Sequence, residues 1–335
     1  MTALAPSEGP PLTATPTITD RPPDAVAAEL TELDEALEVI PGRRIDRNLL
    51  VATWNLRAFG GLTDKWVSGD EDNPKRDLTG LRAIGQIVSR FDVIALQEVR
   101  GNLRALRHLL GWLNRDGDTW GLLLTDVTRG SAGNDERMAF LYDTRRVKPS
   151  GLACELVVPP DRDDIEAGAF GRQFARTPYA CAFLGAGQTF ILVTLHVLYG
   201  KAPADRVGEL QAIADWLADW ASDVNSYHHN LIALGDFNID RKDDPLFRAF
   251  TSTGLTVPEA LNAVPRTIFD SSKDHHYDQI AWFASDTGKV PKLSLRPTGA
   301  AGSFNFTDLV HRALTRQQMS WRISDHLPLW VEFAH

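Results

Sequence analysis

Leu231-Ile232-Ala233-Leu234-Gly235-Asp236-Phe237-Asn238 is the stretch from which the rest of the chain can be read. Its opening run of apolar residues predicts a strand buried on both faces. Gly235 allows a sharp exit, and Asp236 and Asn238 then emerge together at the strand's end. A carboxylate at such a place can hold a hard cation or take a proton from water. A neutral amide beside it can steady a phosphate oxygen without repelling it. A buried strand closing in an Asx-type turn accounts for this stretch equally well, so the decision comes from elsewhere in the chain.

The same ending recurs. Leu49-Leu50-Val51-Ala52-Thr53-Trp54 runs into Asn55, and Val93-Ile94-Ala95-Leu96 into Gln97 and Glu98. A strand over 189–195 meets His196, Tyr277-Asp278 opens a strand over Gln279–Ala284, and Ser324-Asp325-His326 opens a closing strand near 327–333. Taken singly, each has an ordinary reading: Asn55 caps a turn, Glu98 pairs with an arginine in solvent, Asp325 caps the segment before Pro328. Together they predict one rim where polar groups converge. Further strands are expected at 120–125, 136–142, 152–158 and 178–184, and amphipathic helices at 26–40, 81–88, 103–113, 204–220 and near 245–252. Residues 286–320 read as a looser Gly- and Pro-containing stretch. Helices interleave with strands only in places, which predicts an α/β (α+β) chain of two packed mixed sheets flanked by helices.

With 335 residues, 43% hydrophobic and 24% charged, the chain can bury a sizeable core and does not read as a disordered protein. Residues 1–25, rich in Pro, Thr and Ala, are expected to be disordered, and 26–40 to be a docked helix, so that 1–44 form a tail before a domain at 45–335. The net charge is -9; residues 1–50 hold nine acids and four bases, leaving the body at only -4. No broad basic face is visible, so a nucleic-acid ligand would have to be met by local arginines and metal ions. The absence of a long apolar run and of a basic, apolar leader predicts a cytoplasmic protein. Cys154 and Cys181 are expected to be free, packed thiols.

Eight segments carry a family resemblance: TWNLRAFG (53–60), FDVIALQEVR (91–100), NDERMAFLY (134–142), FARTPYACAF (174–183), TLHV (194–197), LIALGDFN (231–238), HYDQIAWF (276–283) and SDHLPLWVEF (324–333). In this order and spacing the set resembles the endonuclease/exonuclease/phosphatase superfamily, most closely its deoxyribonuclease I branch. The resemblance spans residues 48–333.

What it implies is a four-layer sandwich and a phosphodiester hydrolase, a DNA endonuclease of little sequence specificity. It implies a Mg²⁺ site, or Mn²⁺ in its place, at Glu98 with Asn55 and Asp325. It makes His196 and His326 the acid–base pair, oriented by Glu136 and Asp278 respectively, with Asp236 and Asn238 beside the phosphorus. Arg176 would clamp a non-bridging oxygen, and Arg57 and Arg100 would face the substrate backbone. Leu195-His196-Val197 differs from the Asn-containing segment of abasic-site endonucleases, and Tyr277-Asp278-Gln279 from the Trp-Cys-Asp-Arg run of inositol phosphatases. Asp161-Arg162-Asp163-Asp164 replaces the disulfide loop of the secreted branch, and Asn134 stands where that branch carries a minor-groove tyrosine. His275 and His276 are expected to be exposed loop residues, and His108, His228 and His229 to be structural. The rival functions are a phosphatase or phosphodiesterase for small-molecule or lipid phosphate esters, and a non-catalytic protein that binds a partner through its acidic N-terminal helix.

Overall fold

The computed structural model describes residues 15–45, 47–129, 134–156, 176–200, 202, 204–222, 230–269, 275–285 and 292–334. In chain order the main elements are α1 (Asp24–Ala36), β1 (Asn48–Phe59), α2 (Leu78–Val88), β2 (Val93–Arg100), α3 (Arg104–Leu113), β3 (Trp120–Leu124), β4 (Glu136–Asp143) and β5 (Val147–Glu155). They continue with β6 (Tyr179–Gly185), β7 (Gln188–His196), α4 (Ala204–Ser222), β8 (Leu231–Ile239), α5 (Pro245–Thr251) and β9 (Leu255–Thr256). Last come β10 (His276–Phe283), β11 (Arg296–Ser303), α6 (Arg316–Ser320) and β12 (Leu329–Ala334). They build two mixed six-stranded sheets, ordered β11-β12-β1-β2-β4-β3 and β5-β6-β7-β8-β10-β9.

Strand parity explains the layers. In β1, Leu49 and Val51 belong to the core shared with the second sheet, whereas Leu50, Ala52 and Trp54 pack among α1, α2 and α3. β2 repeats the alternation, with Val93 and Ala95 toward the other sheet and Ile94 and Leu96 toward the helices. Alternate residues of a strand face opposite sides, so Asn55, Gln97 and Glu136 inherit the inter-sheet face. The buried Gln97 amide confirms this by donating across the gap to Thr194 Oγ1 at 2.9 Å, and to Thr53 Oγ1 at 3.0 Å. Leu210, Ile213 and Leu217 of α4 and Leu246 and Phe250 of α5 cover the outer side of the second sheet, completing four layers.

Three expectations change. Residues 286–320 are not all loose: β11 pairs antiparallel with β12 as an edge strand, with a register shift between Pro297 and Ala301. Its Pro and Gly are tolerated there because an edge needs bonds on one side only, and its mixed exposure leaves no apolar period to read. Residues 15–25, assigned above to a disordered tail, include Ile18, 3% exposed, whose carbonyl accepts from Arg82 Nη1. His276 is buried in β10 rather than exposed. The docked helix α1 buries Val26, Leu30 and Leu33. The disorder expected of residues 1–14, the Asp161–Asp164 replacement and His228 and His229 lie outside the described residues. Both cysteines are free thiols; burial pushes Cys181 up to about 12. Among the described residues no helix is long and apolar enough to cross a membrane.

Candidate active site

The first sheet supplies one half of the rim. Past Thr53 on the inter-sheet face, the Asn55 amide donates to Glu98 Oε1 at 3.1 Å and to Asp236 Oδ2 at 2.9 Å. Glu98 sits at φ 60, an unusual conformation for a side chain of its size, where the β2 register shifts against both neighbours. That shift turns its carboxylate into the cleft, where Oε2 accepts from the Ala58 backbone N–H at 2.8 Å.

The second sheet supplies the other half. His196 pairs in register with Asp236, and Asp236 with Asp278, so the ends of β7, β8 and β10 present three functional side chains at one level. Gly235, at φ 140, makes this possible, because a Cβ there would lie 2.1 Å from the Leu195 carbonyl oxygen. Asn238, at φ 50, donates its backbone N–H to Asp236 Oδ1 at 2.9 Å and its side-chain amide to Val197 O at 2.7 Å. One amide proton therefore still faces away from that bond.

Two acid–imidazole contacts meet over Asp236. His326 Nδ1 is hydrogen-bonded to Asp278 Oδ2 at 2.7 Å, and His196 Nδ1 lies 2.9 Å from Glu136 Oε2. Their Nε2 atoms approach the same oxygen, Asp236 Oδ2, at 3.8 and 3.6 Å. Burial lifts the Asp278 carboxyl to about 6, against the pull of His326. Burial opposes charge on His326 too, but Asp278 and Asp236 outweigh it and hold the imidazole well above its usual value. Burial would also raise Glu98, yet His196, the Ala58 N–H, His326 and the Asn55 amide hold it at about 2, fully ionised.

The arginines are placed less freely than the resemblance implies. Arg176 Nε is 2.7 Å from Glu136 Oε2, and its Nη1 is buried with no hydrogen-bond partner among the described residues. Arg100 lies 3.4 Å from Glu136 and 3.7 Å from Glu98. Arg57 is tied to Asp325 Oδ2 at 3.0 Å and to Ser320 Oγ at 2.7 Å, with its guanidinium 3.9 Å over Trp321. Asp325 thus faces an arginine at the edge of the rim.

The donor chemistry fits a divalent cation. Glu98, Glu136 and His196 bring one ligand atom each within 4.8 Å of one another. Glu136, however, already faces Arg100, Arg176 and His196, a surrounding that repels a cation. Glu98 and Asn55 are better suited, because Asn55 Oδ1 is a buried acceptor with no partner among the described residues and Glu98 is ionised beside it.

Sequence reading missed the residues that hold this rim. Buried Arg76 donates to the carbonyls of Arg57 at 2.9 Å and Ile323 at 3.0 Å, locking the end of β1 to the Ser324-Asp325-His326 segment. Ser324 Oγ adds a bond to Asn55 O at 2.6 Å. Arg266 donates to Asp278 O at 2.8 Å and to Leu261 O at 2.7 Å. Thr125, Thr128, Arg137 and Met138 line a cleft with Glu136, Arg176 and His196. Arg76 and Arg266 lie in loops without periodicity, so nothing in the sequence marks them, whereas Ser324, Arg137 and Met138 lie inside the quoted segments with no role assigned to them.

Residues 52–326 match the profile of the Endonuclease/Exonuclease/phosphatase family. A deoxyribonuclease from Thioalkalivibrio sp. (strain K90mix) is 29% identical over 296 residues, 85% of this chain and 71% of the relative. Deoxyribonuclease-1 of Bos taurus is 25% identical over 296 residues, 85% of this chain and 92% of the relative. Among solved structures, mannosyl-6-phosphatase of Bacteroides thetaiotaomicron shares the fold at TM-score 0.54 and 20% identity, over 86% of this chain and 100% of that one. The chain belongs to the Endonuclease/Exonuclease/phosphatase family and is a hydrolase of phosphate ester bonds.

Proposed function

We propose that this hydrolase is a Mg²⁺-dependent phosphodiesterase that cuts DNA as an endonuclease with little sequence preference. The observation that carries the reading is the convergence of His196 and His326, each backed by a buried acid, on one oxygen of Asp236. A phosphate seated there has a base and an acid within reach. His326, whose protonated form Asp278 and Asp236 favour, is the donor to the leaving oxygen; His196, with Nδ1 against Glu136, offers Nε2 to take the proton of the attacking water. The new P–O bond forms from water as the P–O bond to the leaving group breaks. Asp236 steadies whichever imidazole is charged, and Asn238 and Arg176 bind the non-bridging oxygens as charge builds on them. Glu98 and Asn55, with Asp325 nearby through Arg57, would hold the ion, whose contribution is charge neutralisation at a phosphoryl oxygen. Relatives named as deoxyribonucleases, matched over 85% of this chain, support DNA as the substrate.

The test is nicking of supercoiled plasmid with Mg²⁺ and with EDTA, beside a sugar phosphate monoester control. Metal-dependent nicking without monoester hydrolysis is expected. A plasmid that stays supercoiled while the monoester is hydrolysed replaces this reading with the small-molecule phosphatase.

A further inference from the structure

A run of rings leads outward from His326. Its ring centroid is 5.9 Å from that of Tyr277, at 40°. His275 stacks on Tyr277 at 4.7 Å and 17°, and Tyr199 meets Tyr277 edge-on at 6.5 Å and 74°. Tyr199 is 56% exposed. The Arg206 guanidinium lies 4.8 Å from the centre of its ring, and Arg206 is itself fixed to Asn238 O at 2.5 Å and Asp240 Oδ2 at 2.8 Å. The exposed ring is thus anchored through one side chain to the strand that carries Asp236 and Asn238.

A single exposed tyrosine is ordinary surface. Here the ring is exposed, flanked by the Arg206 guanidinium, and joined ring by ring to a histidine of the proposed reaction centre. The fold gains little from an aromatic side chain held half in water, whereas a nucleobase gains from a fixed π-face: stacking contributes about 1–3 kcal/mol per base whatever the base. Bases inside a continuous duplex have their faces covered by their neighbours and cannot use such a surface; an unpaired base can. We infer that Tyr199, Tyr277 and His275 form a stacking ledge for an unpaired nucleobase adjoining the scissile phosphate, so that single-stranded DNA is bound in preference to continuous duplex. This inference rests on the nuclease reading and names its substrate class.

The experiment measures kcat and KM with Mg²⁺ for wild type, Tyr199→Ala and Tyr199→Phe. The substrates are one oligonucleotide sequence as a single strand, as a duplex, and as a single strand of abasic residues. Binding of a 2-aminopurine strand in EDTA, read by fluorescence quenching, accompanies the kinetics. Wild type is expected to favour the base-bearing single strand and to quench the probe. Tyr199→Ala should raise KM for that strand by roughly 5- to 150-fold, the 1–3 kcal/mol of one stacked base. Tyr199→Phe should keep the wild-type KM, and the abasic strand should not distinguish the variants. Equal losses on base-bearing and abasic strands, or no loss in Tyr199→Ala, would overturn the ledge while leaving the nuclease standing. If no strand is cut by wild type, the nuclease reading itself falls.

Discussion

Gly235→Ala tests whether the site depends on the close approach of β7 and β8. The new methyl would sit 2.1 Å from the Leu195 carbonyl oxygen, against ordinary contact beginning at 3.4 Å, so the two backbones must part by up to 1.3 Å. Neither neighbour can yield as a side chain would, because both belong to the parallel ladder that sets His196 beside Asp236. The φ of 140 adds its own strain for an L-residue. About 1–3 kcal/mol for the backbone conformation and about 1–3 kcal/mol for overpacking give a destabilisation of roughly 2–6 kcal/mol. An ångström of misplacement between reacting groups costs on the order of 10²-fold in rate. Gly254→Ala is the internal control: its φ is 100, but its Cβ would meet only Phe283, at 3.9 Å, so it should show the conformational cost without the clash. The assay is urea unfolding of both variants, with kcat on a phosphodiester substrate at a temperature where each is folded. Equal stabilities for the two variants, or a folded Gly235→Ala with wild-type kcat, would refute the reasoning.

Asp278→Asn should move the alkaline limb of the pH–rate profile toward lower pH and lower kcat by about 10²–10⁴-fold, since Asp278 is a charge that holds His326 protonated. The sign follows from the raised imidazole: His326 keeps the proton it donates on the acid side of its folded value and loses it as pH rises through that value, earlier when the partner is neutral. Glu98→Gln should raise the Mg²⁺ concentration for half-maximal rate, and EDTA should abolish turnover; undiminished hydrolysis in excess chelator sinks the metal assignment. Arg176→Ala should lower kcat by about 10²–10³-fold, as loss of a donor to developing charge does, whereas Arg57→Ala should chiefly raise KM. A steady-state comparison in which Arg57→Ala hits kcat harder than Arg176→Ala reverses the two roles.

What could be read from the chain follows what strands reveal about themselves. Leu231–Leu234 and Val93–Leu96 are buried on both faces, and such runs announce a central strand and the residue that leaves it. Asn55 stood out as the polar residue that closes such a run, whereas Glu136 came only with the family resemblance; the face that both share is seen in the structure. The pairing of Arg57 with Asp325 was not legible, because nothing local states that a side chain reaching for phosphate also reaches a neighbouring carboxylate. Arg76 and Arg266 were equally hidden: their partners are backbone carbonyls, which every residue possesses and no sequence pattern marks. β11 escaped because an edge strand needs no apolar alternation. His275 and His276 looked like loop residues beside the Tyr277-Asp278 pair, and only the ring contacts give His275 a neighbour to stack on.

The Gln97 side chain that reaches Thr53 within its own sheet and Thr194 in the other has a bearing on how variants of this hydrolase will behave. Asn55, Glu98 and Glu136 ride on one sheet and His196, Asp236 and Asp278 on the other, so the spacing between the halves is set by whatever fills the layer beneath. Phe140, Phe183 and Phe190 pack there ring against ring. A change of bulk in that layer would act like a shim under a hinge, tilting one half-site against the other without touching either. Suppressors of a weakened rim should therefore be found among these buried phenylalanines and their neighbours, in a selection for restored turnover, and damage done there should be repaired by compensating volume rather than by new polar contacts.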